Sequence, residues 1–243
     1  MKNYILISGA SSDIGTKIAI SLSKKYNIII HGTDLKKLNK IKKECSNKNK
    51  TIIWKCDFRK ITNINSFSKN FFFKYKIFGF IHCSGKFYLK PTRLIKNNEL
   101  KDVWNINYFS CLDIIKRLVS LPNKKFLKKV IFISSNISGF GSKGTTVYNA
   151  TKAALDASMK SLAVEFAPNI QFNSVLPGTI KTKMISENIP SYDEKIIIKK
   201  YPTGFGKPKN ISDICEFLIS QKSNWITGQQ IIVDGGRSVN LTD

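Results

Sequence analysis

Seven short apolar runs, set apart by longer segments of helical periodicity, constrain this chain more than any other feature. The runs are Tyr4–Ile7, Ile28–Ile30, Thr51–Trp54, Phe78–Ile81, Val130–Ile133, Gln171–Val175 and Gln230–Val233. Several are continuous rather than alternating, as expected of strands covered by helices on both faces. Between them, Ile14–Lys25, Leu100–Leu121 and Tyr148–Phe166 repeat their apolar residues with a helical period. Strands alternating with helices predict an α/β fold: a doubly wound parallel sheet of about seven strands with helices on both faces. A chain of 243 residues, 42% of them hydrophobic, suffices for one sizeable core, so residues 1–243 read as a single domain. The polar run Glu44–Lys50 reads as a helix–strand loop.

Composition excludes several classes. The apolar run in MKNYILISGA ends after four residues, too short for a secretory h-region or a membrane span. A cytoplasmic location and no membrane partner are therefore expected. The five cysteines (Cys45, Cys56, Cys83, Cys111 and Cys215) are odd in number and contain no CxxC pair. Reduced, mostly buried thiols are expected rather than a disulfide framework or a zinc site. The formal charge is +24, but the lysines are spread along the chain rather than clustered with aromatics. They read as a solvated face, and no nucleic-acid partner is expected.

The first run leads into Ser8-Gly9-Ala10-Ser11-Ser12-Asp13-Ile14-Gly15. A turn of small residues lets backbone N–H groups approach a pyrophosphate, and the following helix N-terminus adds partial positive charge. Gly9 and Gly15 stand where tight turning and close helix–strand packing are needed. Asp13 suits a helix start as a cap. Further on, Tyr148-Asn149-Ala150-Thr151-Lys152 opens a long helix. The i, i+4 spacing puts phenol and ammonium on one helix face. An ammonium there favours phenolate and is expected to lower the tyrosine pKa from about 10 toward working pH. Such a tyrosine exchanges a proton with a substrate oxygen. Alone, YxxxK is common in helices. Here Ser135 precedes Tyr148 by thirteen residues, and Asn107 precedes Ser135 by twenty-eight.

These spacings, with SGASSDIG near the N-terminus, Pro177-Gly178 after the sixth run and Val233-Asp234-Gly235-Gly236 near the C-terminus, resemble the short-chain dehydrogenase/reductase family over essentially the whole chain. Two turn positions depart from the family's TGxxxGxG: Ser8 replaces Thr, and Asp13 stands at the middle glycine. His82-Cys83-Ser84-Gly85 occupies the place of NNAG and keeps only its glycine. His82 reads as a structural polar residue at a strand end, without a metal or general-base role, since His31 lies on another strand.

The resemblance implies a Rossmann-like fold and a nicotinamide cofactor held by Gly9, Ser11, Ser12, Asp13, Ile14 and Gly15 at the phosphates. It places Asp57 and Phe58 at the adenine, and Ser84 and Gly85 beside the cofactor. Pro177 and Gly178 then meet the nicotinamide, while Ile180 and Thr182 meet the carboxamide or phosphates. It further implies that Ser135 hydrogen-bonds the substrate oxygen and that Tyr148 is acid in reduction and base in oxidation. Lys152 holds the ribose hydroxyls, and Asn107 positions a water linking Lys152 to solvent. The hydride passes between the cofactor and a substrate carbon. The whole-chain pattern is closest to 3-oxoacyl-[acyl-carrier-protein] reductase-like members, with a carbonyl or alcohol substrate, thioester-linked in such members, and a homotetramer as the assembly. Sugar or nucleotide-sugar dehydrogenases of the same family, and a cofactor-binding sensor without turnover, stay open as alternatives. At the end of the second run, Asp34 is expected to bond the ribose 2′-OH and repel a 2′-phosphate, selecting NAD over NADP. Thr33, Lys36 and Lys37 weigh the other way. Ile185–Tyr201 is expected to form the lid over the substrate.

Overall fold

A computed structural model describes residues 3–62, 64, 71, 72, 74–120, 123–182 and 198–240. Its centre is one seven-stranded sheet in the order β3-β2-β1-β4-β5-β6-β7, parallel throughout. The strands are β1 (Tyr4–Ser8), β2 (Asn27–Gly32), β3 (Thr51–Lys55), β4 (Ile77–His82), β5 (Lys129–Ile133), β6 (Gln171–Pro177) and β7 (Gln230–Val233). The helices are α1 (Asp13–Leu22), α2 (Leu35–Glu44), α3 (Asn97–Trp104), α4 (Ser110–Leu118), α5 (Thr146–Glu165) and α6 (Pro208–Ile219).

The continuous apolar runs follow from this layering. Strand side chains alternate between faces, so β1 sends Leu6 into one core and Ile5 and Ile7 into the other. The first core packs Trp54, Phe80, Phe132 and Phe172 against α4 and α5 through Ile114, Leu118, Leu155 and Met159. The second packs Ile5, Ile7, Ile28 and Ile30 of β1 and β2 against α1, α2 and α6 through Ile18, Leu22, Leu38, Ile211 and Leu218. The central strands β1, β2, β4 and β5 have no solvated face and need no polar alternate, whereas the edge strand β7 is partly exposed.

Strand order reverses between β1 and β4. At that switch point the loops leaving the C-terminal strand ends diverge and open a crevice, where doubly wound sheets hold ligands.

The expected helix Leu100–Leu121 is not one regular helix. Between α3 and α4 lies a π-helical segment, Asn105–Phe109. Such a wide turn frees carbonyls from the α-helical ladder, and Asn107 sits in its middle. The Glu44–Lys50 loop contains a short 3-10 turn, Lys48–Lys50. Of the expected lid, residues 183–197 lie outside the described residues; Ile198–Tyr201 belong to the described part.

Candidate active site

A cleft of about 920 Å³ opens over the C-terminal ends of the strands. It reaches from the glycine turn and the ends of β2 and β3 to Ser135, Tyr148 and Lys152.

At one end the chain turns tightly after β1. Gly9 has φ 66°, and a Cβ there would meet the Cys83 carbonyl carbon at 2.7 Å; one at Gly15 would lie 2.3 Å from Gly9 O. Both positions exclude a side chain, the first through its left-handed backbone as well. Ser12, rather than the expected Asp13, caps α1. Its Oγ accepts from Gly15 N at 3.0 Å and donates to Gly9 O at 2.8 Å, leaving Asp13 as the first helical residue. Ser12 wins because its short hydroxyl bonds both ends of the turn at once. Ser11, Ser12, Asp13 and Ile14 line the cleft.

His31 was not anticipated here, yet it braces this end. Gly9 N–H donates to His31 Nδ1 at 3.2 Å, and Nε2 lies 3.0 Å from Cys56 O. The carbonyl can only accept, so Nε2 carries the proton. The ring stacks on Phe58, with centroids 3.8 Å apart. The imidazole thus joins the phosphate turn to the Asp57-Phe58 segment. Burial drives its pKa down to about 3. The readable signal was position: a polar side chain at the end of the strand beside β1 must face the turn. Asp57 lines the cleft, but its carboxylate is gripped by Arg59 Nε, at 2.9 Å from Oδ2. The Arg59 hydrogen bond holds that carboxyl below its usual range despite burial.

Asp34, expected at the ribose, is held at a helix end. Its carboxylate accepts from Lys37 N at 3.1 Å and caps α2, and Asp34 is not among the residues lining the cleft. An unsatisfied helix N-terminus is a closer partner for a short carboxylate than a ligand across the cleft. Thr33 and Lys37 line the cleft instead.

At the other end, α5 presents Tyr148 and Lys152 on one face and β5 delivers Ser135 opposite. Ser135 and the Tyr148 phenol both face the cleft, and the Ser135 side chain acts to lower the phenol's pKa. Lys152 Nζ donates to Ile133 O at 2.8 Å and lies 5.7 Å from the Tyr148 ring centroid. The phenol does not sit below its ordinary pKa as the i, i+4 pairing predicted. Burial pushes it up to about 12, with the nearby Ser135 opposing. Lys152's proton is turned to the β5 carbonyl rather than to the phenol oxygen, so desolvation prevails. Burial also brings Lys152 down to about 8, opposed by Cys83, Asp156 and Cys111.

Asn107 is fully buried. Its Oδ1 accepts from Lys86 N at 2.7 Å and its Nδ2 donates to Thr151 Oγ1 at 3.0 Å. Its main-chain oxygen, freed by the π segment, accepts from His82 Nε2 at 3.1 Å. His82 Nδ1 in turn accepts from Ser8 Oγ at 2.9 Å. His82 is therefore the expected strand-end structural group, and burial brings it down to about 3. Ser84 and Gly85 line the middle of the cleft. Gly178 is crowded by Asp234, whose Cβ would lie 2.7 Å from an added Cβ. Pro177, Gly178, Ile180 and Thr182 line the cleft as expected, and so do Thr179, Tyr201 and Arg237, which the motifs did not single out.

The residues present fit a dinucleotide. Ser84 Oγ is buried in the cleft without a hydrogen-bond partner among the described residues. The Gly9–Gly15 cradle has no room for side chains, and a helix N-terminus faces it. An elongated crevice with a phosphate turn at one end and a phenol–hydroxyl–ammonium group at the other defines a class: oxidoreductases that work with a nicotinamide cofactor.

The comparisons narrow the class. A family model described as enoyl-(acyl carrier protein) reductase matches residues 9–238. The chain is 36% identical to a 3-oxoacyl-[acyl-carrier-protein] reductase of Buchnera aphidicola over 97% of both chains. It is 31% identical to the enzyme of that name from Rickettsia bellii over 95% of both. Among solved structures, ElxO with NADP bound superposes with TM-score 0.88 at 24% identity, over 98% of this chain and 100% of that one. The fold of this chain is therefore that of ElxO. The chain belongs to the short-chain dehydrogenase/reductase family.

Proposed function

We propose that this chain reduces a 3-oxoacyl thioester to the 3-hydroxyacyl thioester, with Tyr148 as the acid. One observation carries the reading: Ser135, Tyr148 and Lys152 line the same end of the cleft, so two hydroxyls converge on the place of one substrate oxygen. Ser135 holds the carbonyl oxygen, and Tyr148 delivers its phenolic proton there as the oxygen gains charge. Lys152 keeps a positive charge one helical turn below and anchors the ribose hydroxyls. Asn107 fixes the segment beside Lys152 through Lys86 and Thr151. A nicotinamide held in this cleft would supply the hydride to the carbonyl carbon. The relatives named above as 3-oxoacyl-carrier-protein reductases support the substrate class.

The cofactor we assign is NADP(H), in place of the NAD expected from Asp34. Asp34's carboxylate is a helix cap, and the basic Lys37 with Thr33 lines the adenosine end of the cleft; an ammonium there attracts a 2′-phosphate. The remaining cofactor contacts keep their expected parts, with Asp57 and Phe58 at the adenine and Pro177, Gly178, Ile180 and Thr182 at the nicotinamide end.

The protein acts as one domain in a homotetramer. Trp225 is 99% exposed and Val164 80%, beside the edge strand β7, where Gly228 approaches Ala163. Apolar surface at an open sheet edge calls for a partner. A cytoplasmic setting accords with the five free cysteines; among the described residues no helix is long and apolar enough to cross a membrane.

Oxidation of NADPH and NADH is to be followed with acetoacetyl thioesters, nucleotide sugars and simple ketones. The thioester is expected to turn over fastest, and Tyr148→Phe to lower kcat about 10²–10⁴-fold while cofactor binding survives. A Phe variant with wild-type kcat refutes the acid assignment. Faster turnover of a nucleotide sugar refutes the substrate class.

A further inference from the structure

Two helical turns beyond Tyr148, and one beyond Lys152, α5 carries a carboxylate that no cofactor or substrate contact calls for. Asp156 is 4% exposed, and its Oδ1 has no hydrogen-bond partner among the described residues. Burying a carboxylate costs several kcal/mol unless it is paired or bonded, so its presence needs a reason. Its other oxygen supplies one. Oδ2 lies 2.9 Å from Ser134 Oγ and 2.7 Å from Ser138 Oγ. These two serines bracket Ser135 on the segment that leaves β5. Ser138 Oγ also lies 2.8 Å from Ser135 O, and Ser134 Oγ 3.3 Å from Lys152 O. One carboxylate oxygen thus ties the Ser135 segment to the helix that bears Tyr148 and Lys152.

We propose that Asp156 is a positioning residue for the reaction: it fixes Ser135 against Tyr148 through Ser134 and Ser138, and its charge keeps Lys152 an ammonium. The second half follows from the surroundings of Lys152. The titratable groups acting on it are Cys83 after β4, Cys111 on α4 and Asp156 on its own helix. Tyr148 lies above it on α5, and His82 on β4 also feels it. Of these groups only Asp156 is a carboxylate. Burial favours the neutral amine, and Asp156 opposes it from one turn away. The inference rests on the assignment of Tyr148 and Lys152 given above.

The test uses the full-length, cofactor-free protein. Trace acetylation of Lys152 with acetic anhydride, read by peptide mass spectrometry across the neutral-to-alkaline range, reports where Lys152 loses its proton. Asp156→Asn keeps an acceptor oxygen for the serines and removes the charge. It is expected to lower the titration point of Lys152 by about half a pH unit or more, a threefold or larger change in proton affinity. Ser138→Ala keeps the charge and loosens the tether. It is expected to leave Lys152's titration in place while kcat with the thioester falls severalfold. Lys152 titrating in Asp156→Asn as in the wild type overturns the electrostatic half, and undiminished kcat in Ser138→Ala overturns the tether. Should Asp156→Asn not fold, Asp156→Ser, whose hydroxyl can still meet a serine, is read the same way. If Tyr148→Phe is inactive and these variants behave as wild type, this inference fails alone. If Tyr148→Phe is active, the assignment beneath it fails.

Discussion

Two buried histidines hold the site together, and both must stay neutral to do so. His31 accepts the Gly9 N–H, and His82 accepts the Ser8 hydroxyl. Each has its pKa brought down to about 3 by burial, against about 6.5 in an unfolded chain. Between those values the unfolded chain binds two protons that the folded one does not. The neutral forms are favoured by folding, so stability rises with pH in this window and is lost on acidification. Each proton contributes about 1.4 kcal/mol per pH unit. Lowering the pH from about 5.5 to about 4.5 should therefore cost about 2.7 kcal/mol, a large part of the ordinary 5–15 kcal/mol of a folded domain. The carboxyls held low, Asp57, Asp234 and Glu99, act further down, since their stabilisation fades only as pH falls below about 4. Urea unfolding followed by circular dichroism at the two pH values measures the slope. His31→Asn or His82→Asn should remove about half of it each, compared at matched denaturant slopes. A wild-type stability independent of pH in this window, or a slope that survives in the double variant, refutes the argument.

Gly15→Ala should abolish measurable cofactor binding and cost about 1–3 kcal/mol of stability by overpacking, because its Cβ would stand 2.3 Å from Gly9 O; titration calorimetry and thermal unfolding check both. Lys37→Ala should weaken NADPH binding about tenfold, about 1.4 kcal/mol, and leave NADH binding unchanged, whereas Asp34→Asn, which keeps the cap, should alter neither by more than about twofold. Equal loss of both cofactors in Lys37→Ala would remove the basis of the NADP(H) assignment. Trp225→Glu should reduce the assembly size seen by light scattering without changing the circular dichroism spectrum. A wild-type mass of 27.5 kDa in solution would show the chain to be a monomer and end the tetramer reading.

The layers of the fold were legible because the physics that sets them is local. A strand buried on both faces is apolar through its middle, as Ile5–Ile7, Ile28–Ile30 and Val130–Ile133 are, with its polar residues at the ends. The candidate catalytic side chains were legible because Tyr148 and Lys152 are fixed by one helix and Ser135 by one strand end. Long-range choices were not readable. The place of His31 at the end of the strand beside β1 points it toward the turn, but it does not name Gly9 N and Cys56 O as its two partners. Asp34 carries the same carboxylate whether it meets a ribose or a helix N-terminus, and the nearer partner wins. The π segment at Asn105–Phe109 has the apolar period of a regular helix. Its widening is fixed by His82, Arg59 and Thr151, which bond Asn107 O, Asn105 Nδ2 and Asn107 Nδ2 and lie outside the helix.

The protonation states found in the cleft bear on the direction of the reaction. A phenol with its pKa pushed up to about 12 by burial is fully protonated at neutral pH. That is the form needed to give a proton to a carbonyl oxygen gaining negative charge, and the wrong form to take one from an alcohol. Lys152, at about 8, is mostly an ammonium under the same conditions, so positive charge already stands one turn from the phenol when the proton leaves. An oxidising enzyme would need the phenolate in its resting state and would have to overcome the burial of Tyr148 to obtain it. A protonated phenol beside a retained ammonium suits reduction, so alcohol oxidation by this chain is expected to require alkaline pH. The ratio of ketone reduction to alcohol oxidation, measured against pH with the same thioester pair, should fall steeply on the alkaline side. A ratio independent of pH, once corrected for the proton consumed in the overall equilibrium, would mean that Tyr148 is not the group that sets it.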